Sequence, residues 1–298
     1  DLHSFPTRRS SDLFPGVSMD TEKSKDMTIS RVRIIDKQGA EAMGKPIGYY
    51  ITIEVPRLKE KDPKLAEEVS KNIAKELNVM MELPMEATIL VIGLGNWNVT
   101  PDSLGPKVVE KLMVTRHLIE FMPDQFNPQE GIRPICALAP GVLGITGIET
   151  GDIIKGLVEK VQPDLVIAID ALASRSMERI STTIQIADTG VYPGSGVGNK
   201  RMGITKETIG VPVIAIGVPT VVDAATMAND TLDMLIGQFA RQAKPGSDFY
   251  KLLEDLDKDE KYTLIKEVMT PFVGQLVVTP KEIDALIDNT ARTLAGGL

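Results

Sequence analysis

Cysteine, histidine and aromatic residues are scarce in this chain of 298 residues. The single cysteine, Cys136, excludes an internal disulfide framework and any zinc site built from several cysteines. Such a chain is expected in a reducing compartment. The two histidines, His3 and His117, supply little for a catalytic triad or a metal site.

Excess positive charge and long apolar runs are also missing. Lys and Arg number 33 against 41 Asp and Glu, which gives a formal net charge of −8. An acidic chain lacks the basic surface that binds phosphate backbones, so we expect no nucleic-acid partner. No apolar run approaches the roughly 18 residues of a membrane span, and the N-terminus has no signal-peptide pattern. We therefore expect no membrane partner and a cytoplasmic location.

Residues 1–26 differ in character from the rest of the chain. Residues 1–13 have neither a helical nor a strand period and resemble translated vector sequence. We interpret residues 1–26 as a disordered leader, of which residues 1–13 are not native. From residue 27 onward the apolar residues recur with regular periods, which predicts one domain over residues 27–298.

Strand and helix patterns alternate along this domain. Two strands and an amphipathic helix are predicted over residues 31–35, 47–55 and 63–80. Further apolar runs of strand length lie at 88–94, 132–138, 165–169, 182–186 and 213–216. Helical patterns separate these runs, which is typical of right-handed crossovers in an open parallel sheet. The fold class is therefore predicted to be α/β, a doubly wound, mostly parallel sheet with an N-terminal antiparallel embellishment.

The helix patterns fall at residues 149–161 and 223–240, and another helix is predicted to open at Pro106. Residues 279–282, Thr-Pro-Lys-Glu, match a capping box with proline at the first helical position and predict a C-terminal helix. Residues 246–261 are polar and charged and predict an exposed insertion.

One face of the second predicted strand is apolar and has little nearby sequence to cover it. The residues on this face are Tyr49, Ile51, Ile53 and Val55. An uncovered apolar face is typical of an interaction surface, so we expect the N-terminal region to lie near a subunit interface or the cleft.

Two carboxylates are the leading candidates for chemistry. Asp170 ends an apolar strand, where an unpaired carboxylate costs several kcal/mol of desolvation, and Asp102 lies in the loop of a neighbouring strand. Ligands of open α/β sheets bind at this edge, so both residues are expected to reach one cleft. Such a pair shares one proton, which provides a base for water and an acid for a leaving amine. On spacing alone, an alternative stays open in which Asp102 caps the next helix and Asp170 accepts backbone N–H groups.

Other candidate sites carry weaker signals. Residues 93–95 begin like a dinucleotide-binding loop, but Asn98 stands where the third glycine belongs. His117 and Cys136 offer a possible nucleophile pair, although a surface histidine and a buried inert thiol are their more ordinary roles. The glycine-rich segment 194–201 ends in two cations, and both an anion-binding loop and a flexible flap fit it.

Ten segments of the chain carry distinctive motifs: 93–96, 99–102, 104–107, 114–117, 139–142, 146–150, 167–173, 193–201, 219–224 and 278–282. Taken together, they resemble the germination protease family of endospore-forming bacteria. They occur in the order and at the spacing of the family, from about residue 27 to the C-terminus. A match of this length is highly specific.

The resemblance implies an endopeptidase that degrades small acid-soluble spore proteins during germination, in the spore core. It implies an α/β fold related to hydrogenase-maturation proteases and a homotetramer that is made as a zymogen and removes its own leader. It also implies that no metal or cofactor takes part. The two essential carboxylates of the family match Asp102 and Asp170.

Two other functional classes remain open. One is a metal-dependent maturation peptidase of the same fold, with Asp102 and Asp170 as ligands and His117 as the available nitrogen donor. Sensitivity to chelators would distinguish it. The other is a binding module in which the carboxylates are purely structural, and a lack of turnover of any spore protein would favour it.

Overall fold

The computed structural model describes residues 15–128, 131–194, 201–242, 258–273 and 276–298. Within these ranges, nine strands form one sheet in the order β1-β2-β3-β7-β8-β6-β4-β5, with β9 paired to β8. The strands are β1 (Val17–Lys23), β2 (Thr28–Ile34), β3 (Gly48–Glu54), β4 (Ile89–Gly93), β5 (Ile135–Leu138), β6 (Leu165–Ser174), β7 (Thr183–Ala187), β8 (Val213–Asp223) and β9 (Val277–Val278).

The sheet is parallel in one half and antiparallel in the other. Strands β5, β4, β6 and β8 pair in parallel, whereas β7 runs antiparallel to both β8 and β3, and β1 to β3 form an antiparallel meander. The mixed α/β class is therefore confirmed. The sheet is not mostly parallel as expected. Strand β7 runs antiparallel and joins the antiparallel N-terminal strands to the parallel strands, so that all of them form one continuous sheet.

Helices cover both faces of this sheet. They are α1 (Lys37–Met43), α2 (Pro63–Met81), α3 (Leu104–Lys111), α4 (Arg116–Phe121), α5 (Leu143–Thr146), α6 (Thr150–Val161), α7 (Lys206–Ile209), α8 (Ala224–Gln242), α9 (Lys258–Val273) and α10 (Ile283–Gly297). Helices α2, α3 and α10 pack on one face, and α6 and α7 pack on the other. Because helices pack on both faces of the sheet, the predicted doubly wound arrangement is confirmed.

Helix α2 shows how the sequence builds the larger core. Asp62 accepts hydrogen bonds from the first backbone N–H groups of the helix, and Pro63 occupies its first position, where a missing N–H costs nothing. Leu65, Val69 and Ile73 then lie on one stripe and are buried against the sheet. The predicted helix over residues 63–80 is confirmed to within one residue.

The N-terminal strand β1 corrects the disorder predicted for residues 1–26. Val17–Lys23 pairs with β2 in regular antiparallel register. Arg31 on β2 contacts Asp20 at 3.0 Å and Glu22 at 2.8 Å on β1, and it also contacts the buried Glu76 of α2 at 2.6 Å. Disorder is therefore wrong for residues 15–26. Residues 1–14 lie outside the described ranges, and the foreign origin of residues 1–13 stays a prediction.

The apolar face of β3 is covered within the chain. Ile51, Ile53 and Val55 are at most 1% exposed and belong to the core that α2 and α10 complete, and Tyr49 packs against that core. The expectation that this apolar face is uncovered, which was the reason to place a subunit interface there, is therefore wrong. Large exposed apolar side chains occur instead on α8 and α9, among them Met234, Phe239, Leu264, Val268 and Phe272.

Two further predictions concern the C-terminal part of the chain, the capping box at residues 279–282 and the insertion at residues 246–261. Helix α10 begins at Ile283 with no side-chain cap, and the Thr279 hydroxyl donates to the Thr220 carbonyl oxygen, so the predicted capping box is wrong. Most of the predicted insertion, residues 246–257, lies outside the described ranges, and α9 begins at Lys258. In the described part of the chain, no helix has both the length and the apolar character to cross a membrane.

Candidate active site

A cavity of about 380 Å³ opens at the carboxyl ends of β4, β6 and β8. Strand order reverses here, because the chain leaves β4 for β5 on one side and returns to β6 on the other. A crevice at such a reversal is the usual ligand site of an open α/β sheet. The lining includes Leu94, Gly95, Val99, Asp102, Asp170, Leu172, Tyr192, Arg201 and Thr220.

Asp102 reaches this cavity through a tight loop after β4. Gly95 has a φ of +114°, and a Cβ atom there would collide with the backbone oxygen of Asp102. Glycine is therefore required for the loop to fold back on itself. The 3₁₀ turn Thr100–Asp102 then presents the carboxylate, whose Oδ2 accepts the N–H of Asn96 at 2.7 Å.

The start of α3 holds this loop close to the sheet. A Cβ at Gly105 would collide with backbone atoms of Leu94 and Ile169, so glycine allows the helix to approach both β4 and β6. The N–H of Leu94 donates to the carbonyl of Ile169 at 2.8 Å. These contacts bring the loop that carries Asp102 beside the strand that carries Asp170.

Asp170 comes from β6 itself. Ile167 and Ile169 point into the core on one face, and alternation places Asp170 on the opposite face, where the cavity lies. Its side chain is 8% exposed, and its Oδ1 accepts the N–H of Ala171 at 2.9 Å. The structure thus brings Asp102 and Asp170 into one cavity wall.

The two carboxyls differ in their electrostatic surroundings. Burial raises the pKa of Asp170 to about 7, and the negative charge of Asp102 contributes in the same direction. Burial also raises the pKa of Asp102, but the Asn96 N–H and the Arg201 guanidinium oppose that rise. Of the two carboxyls, Asp170 is therefore the one that keeps a proton up to about pH 7.

The structure overturns one part of the structural alternative, the helix cap at Asp102. Asp102 does not cap α3, since Ser103 is the N-cap residue and the Asp102 carboxylate accepts from Asn96, which precedes it. The Asp170 carboxyl does accept a backbone N–H, as the structural alternative expected, but one such bond leaves its pKa well above the ordinary value.

The other predicted candidates lie elsewhere or play a different part. His117 is exposed on α4, and Cys136 is half-buried on β5 with a thiol pKa raised by burial; neither lines the cavity. The two glycines of residues 93–95 allow the backbone to pack closely, Gly95 against Asp102 as described above and Gly93 against Gly105. Gly194 and Arg201 line the cavity, and residues 195–200 between them lie outside the described ranges.

The N-terminal half of the sheet also contributes to the cavity, as expected for one of the two places predicted for it, although the residues that line the cavity were not singled out from the sequence. Pro46 and Tyr50 line the wall, and the Tyr50 hydroxyl donates to the Pro46 carbonyl at 2.8 Å. The signal was the alternation of β3, which placed Tyr50 opposite the core-facing Ile51. Among the described residues, no group of three or more His, Cys, Asp or Glu side chains is arranged to hold a metal ion.

Comparison with known proteins agrees with the motifs. The profile of the family described as germination protease matches residues 4–254 and 247–298. A germination protease of Caldanaerobacter subterraneus subsp. tengcongensis is 57% identical over 95% of this chain and 87% of its own length. The Clostridium perfringens germination protease is 56% identical over 92% of this chain and 84% of its own length.

A more distant relative gives the same result. The germination protease of Bacillus subtilis is 50% identical over 93% of this chain and 84% of its own length. Identity at this level over nearly the whole chain leaves no room for a different family. The chain therefore belongs to the germination protease family, and this membership supports a peptidase role in germination.

Proposed function

We propose that this protein is an aspartic-type endopeptidase that starts the degradation of small acid-soluble spore proteins during germination. The observation that carries the proposal is the pair of carboxyls in one cavity, one of them buried with a pKa of about 7. A fold that keeps a buried ionisable group at such cost usually has a functional reason for it.

The proposed reaction uses the two carboxyls in opposite roles. The ionised Asp102 accepts a proton from a water molecule, and the resulting hydroxide attacks the carbonyl carbon of the scissile peptide bond. The protonated Asp170 donates its proton to the leaving amine nitrogen as the carbon–nitrogen bond breaks. The proton taken up by Asp102 then passes to Asp170, which restores the pair.

The cavity suits a peptide chain better than a small polar substrate. Its lining is mainly apolar, and Val99 in that lining remains about half exposed. Such side chains can bury the apolar residues that flank a scissile bond and exclude water from the reacting atoms.

The wider setting belongs to the same proposal. On the basis of family membership, the proposal includes a location in the spore core, a zymogen form and assembly as a homotetramer. The fold is proposed to be related to that of hydrogenase-maturation proteases. The exposed apolar side chains of α8 and α9 are the surface we assign to subunit contact, because faces of this kind are usually covered in oligomers. Light scattering at micromolar concentration tests the assembly, and a monomer would contradict it.

The direct test is turnover of a purified small acid-soluble spore protein, with the fragments identified by mass spectrometry. Asp102→Asn and Asp170→Asn should each lose on the order of 10²-fold or more in rate. Asp124→Asn is the matched control, because Asp124 is exposed and does not line the cavity. If either cavity variant keeps more than about a tenth of the wild-type rate, that carboxyl is not part of the chemistry.

A further inference from the structure

The cavity contains one positive charge besides its two carboxyls. Among the lining residues that the structure describes, Arg201 is the one cationic side chain, and Asp102 and Asp170 are the two acidic ones. Arg201 is partly buried, and its charge, after the Asn96 N–H, opposes the rise in pKa that burial causes at Asp102. Its effect therefore reaches the carboxyl that the proposed mechanism uses as the base.

A pair of carboxyls needs such an asymmetry to work in one direction. Two equivalent acids would share the proton evenly, and half of the molecules would hold it on the wrong side. Burial separates the two groups here, since Asp170 is almost fully enclosed and Asp102 is less so. A cation that lines the same cavity and acts on Asp102 increases the separation, because it favours the charged form of that carboxyl.

The other charges near Asp102 do not offer an equivalent partner. The turn that carries Asp102 packs against α3, α10, β6 and β8. Their charged residues are Lys107, Glu110 and Lys111 on α3, Asp284, Asp288 and Arg292 on α10, Asp170 on β6 and Asp223 on β8. Of these, Asp170 lines the cavity and the others do not, and Lys111 is paired with Asp288 at 2.8 Å.

We propose that Arg201 is a positioning residue that holds Asp102 in its ionised form, so that Asp102 acts as the base and Asp170 keeps the shared proton. This inference rests on the carboxyl-pair mechanism proposed above. It assigns a defined role to a residue that the sequence placed only at the end of a glycine-rich segment.

The pH dependence of kcat/KM tests the assignment. In Arg201→Gln the acidic limb of the profile should move to higher pH by about one unit, because Asp102 then binds its proton more tightly. Arg201→Lys keeps a positive charge and should leave the limb within about half a unit of the wild type. Arg175→Gln is the matched control, since Arg175 is exposed and does not line the cavity.

Other outcomes would overturn the inference. A uniform loss of rate at every pH, or a rise in KM with unchanged limbs, would make Arg201 a substrate-binding or structural residue. An unchanged profile in Arg201→Gln would remove its role altogether. Thermal melting shows whether each variant is folded, and a ¹³C NMR titration of the Asp102 carboxyl reports the same pKa without substrate.

The design separates this inference from the function on which it rests. If Asp102→Asn remains active, the carboxyl-pair mechanism fails and the role of Arg201 fails with it. If Asp102→Asn is inactive but Arg201→Gln leaves the pKa of Asp102 unchanged, the mechanism stands and only the assignment of Arg201 is wrong.

Discussion

Replacing Asp170 with asparagine is expected to stabilise the fold in a pH-dependent way while it removes activity. Folding raises the pKa of this carboxyl from 3.8 to about 7. A group whose pKa is raised on folding costs the folded state nothing while it is protonated in both states. The cost appears as the pH rises above the unfolded pKa and is complete above the folded pKa.

The size of the effect follows from that shift. A change of about three pKa units corresponds to about 4 kcal/mol of unfolding free energy once the carboxyl is ionised in both states. Relaxation around the charge and entry of water reduce the expected gain of Asp170→Asn to about 2–4 kcal/mol at about pH 8. Below about pH 4 the gain should vanish, because protonated aspartic acid and asparagine are close in shape and both neutral.

Urea unfolding of the wild type and the variant at several pH values measures this gain. Asp124→Asn, an exposed site away from the cavity, controls for the loss of one carboxylate from the net charge. A gain that is equal at both ends of the pH range would refute the reasoning. So would a variant that is destabilised throughout, since Asp170 would then be a structural hydrogen-bond acceptor.

Four further predictions concern activity and stability. The rate kcat/KM should fall above about pH 7, since Asp170 must be protonated to act as the acid, and a flat profile to about pH 9 would contradict this. Chelators should leave turnover of a spore protein unchanged, whereas loss with EDTA and recovery with a divalent ion would make the carboxyls ligands. Gly95→Ala should destabilise the fold in thermal melts by more than Gly44→Ala, because both have positive φ but only the former meets a backbone atom. Arg31→Met should cost about 3 kcal/mol in urea unfolding by leaving the buried Glu76 unpaired, and a change below about 1 kcal/mol would mean that this ion pair does not stabilise the fold.

The position of the candidate site could be predicted from sequence because it depends on short-range rules. The strands that precede Asp102 and Asp170 are continuous apolar runs, and their carboxyl ends share one edge whatever the details of the loops. The amphipathic pattern of α2 is equally local, and its N-cap and proline lie next to the first buried leucine. These features need no knowledge of distant contacts.

Strand direction and edge pairing could not be predicted in this way. The run that forms β7 has the same apolar pattern whether it pairs in parallel or antiparallel, and its direction is set by contact with the distant β3. Strand β1 is mostly exposed and polar, so alternation gave no signal, and it is attached by its backbone ladder with β2 and by the ion pairs that Arg31 of β2 makes with it. The hydroxyl of Thr279 likewise binds a distant carbonyl rather than its own helix.

The different electrostatic surroundings of the two carboxyls could not be predicted from the sequence either. Arg201 lies about a hundred residues from Asp102 along the chain, and no spacing rule joins them. The contribution of Tyr50 depends on the N-terminal strands joining the main sheet through β7. Both follow from tertiary packing, which brings separate segments to one edge of the sheet.

The most direct test of the account is a ¹³C NMR titration of the Asp170 carboxyl in the free protein. The account predicts an apparent pKa of about 7. In Asp102→Asn the pKa should be lower, because the neighbouring charge is gone, yet it should stay above the ordinary value, because burial remains. An Asp170 that titrates near 4 in the wild type, or whose pKa does not respond to Asp102→Asn, would contradict the claim that the two carboxyls form one proton-sharing pair.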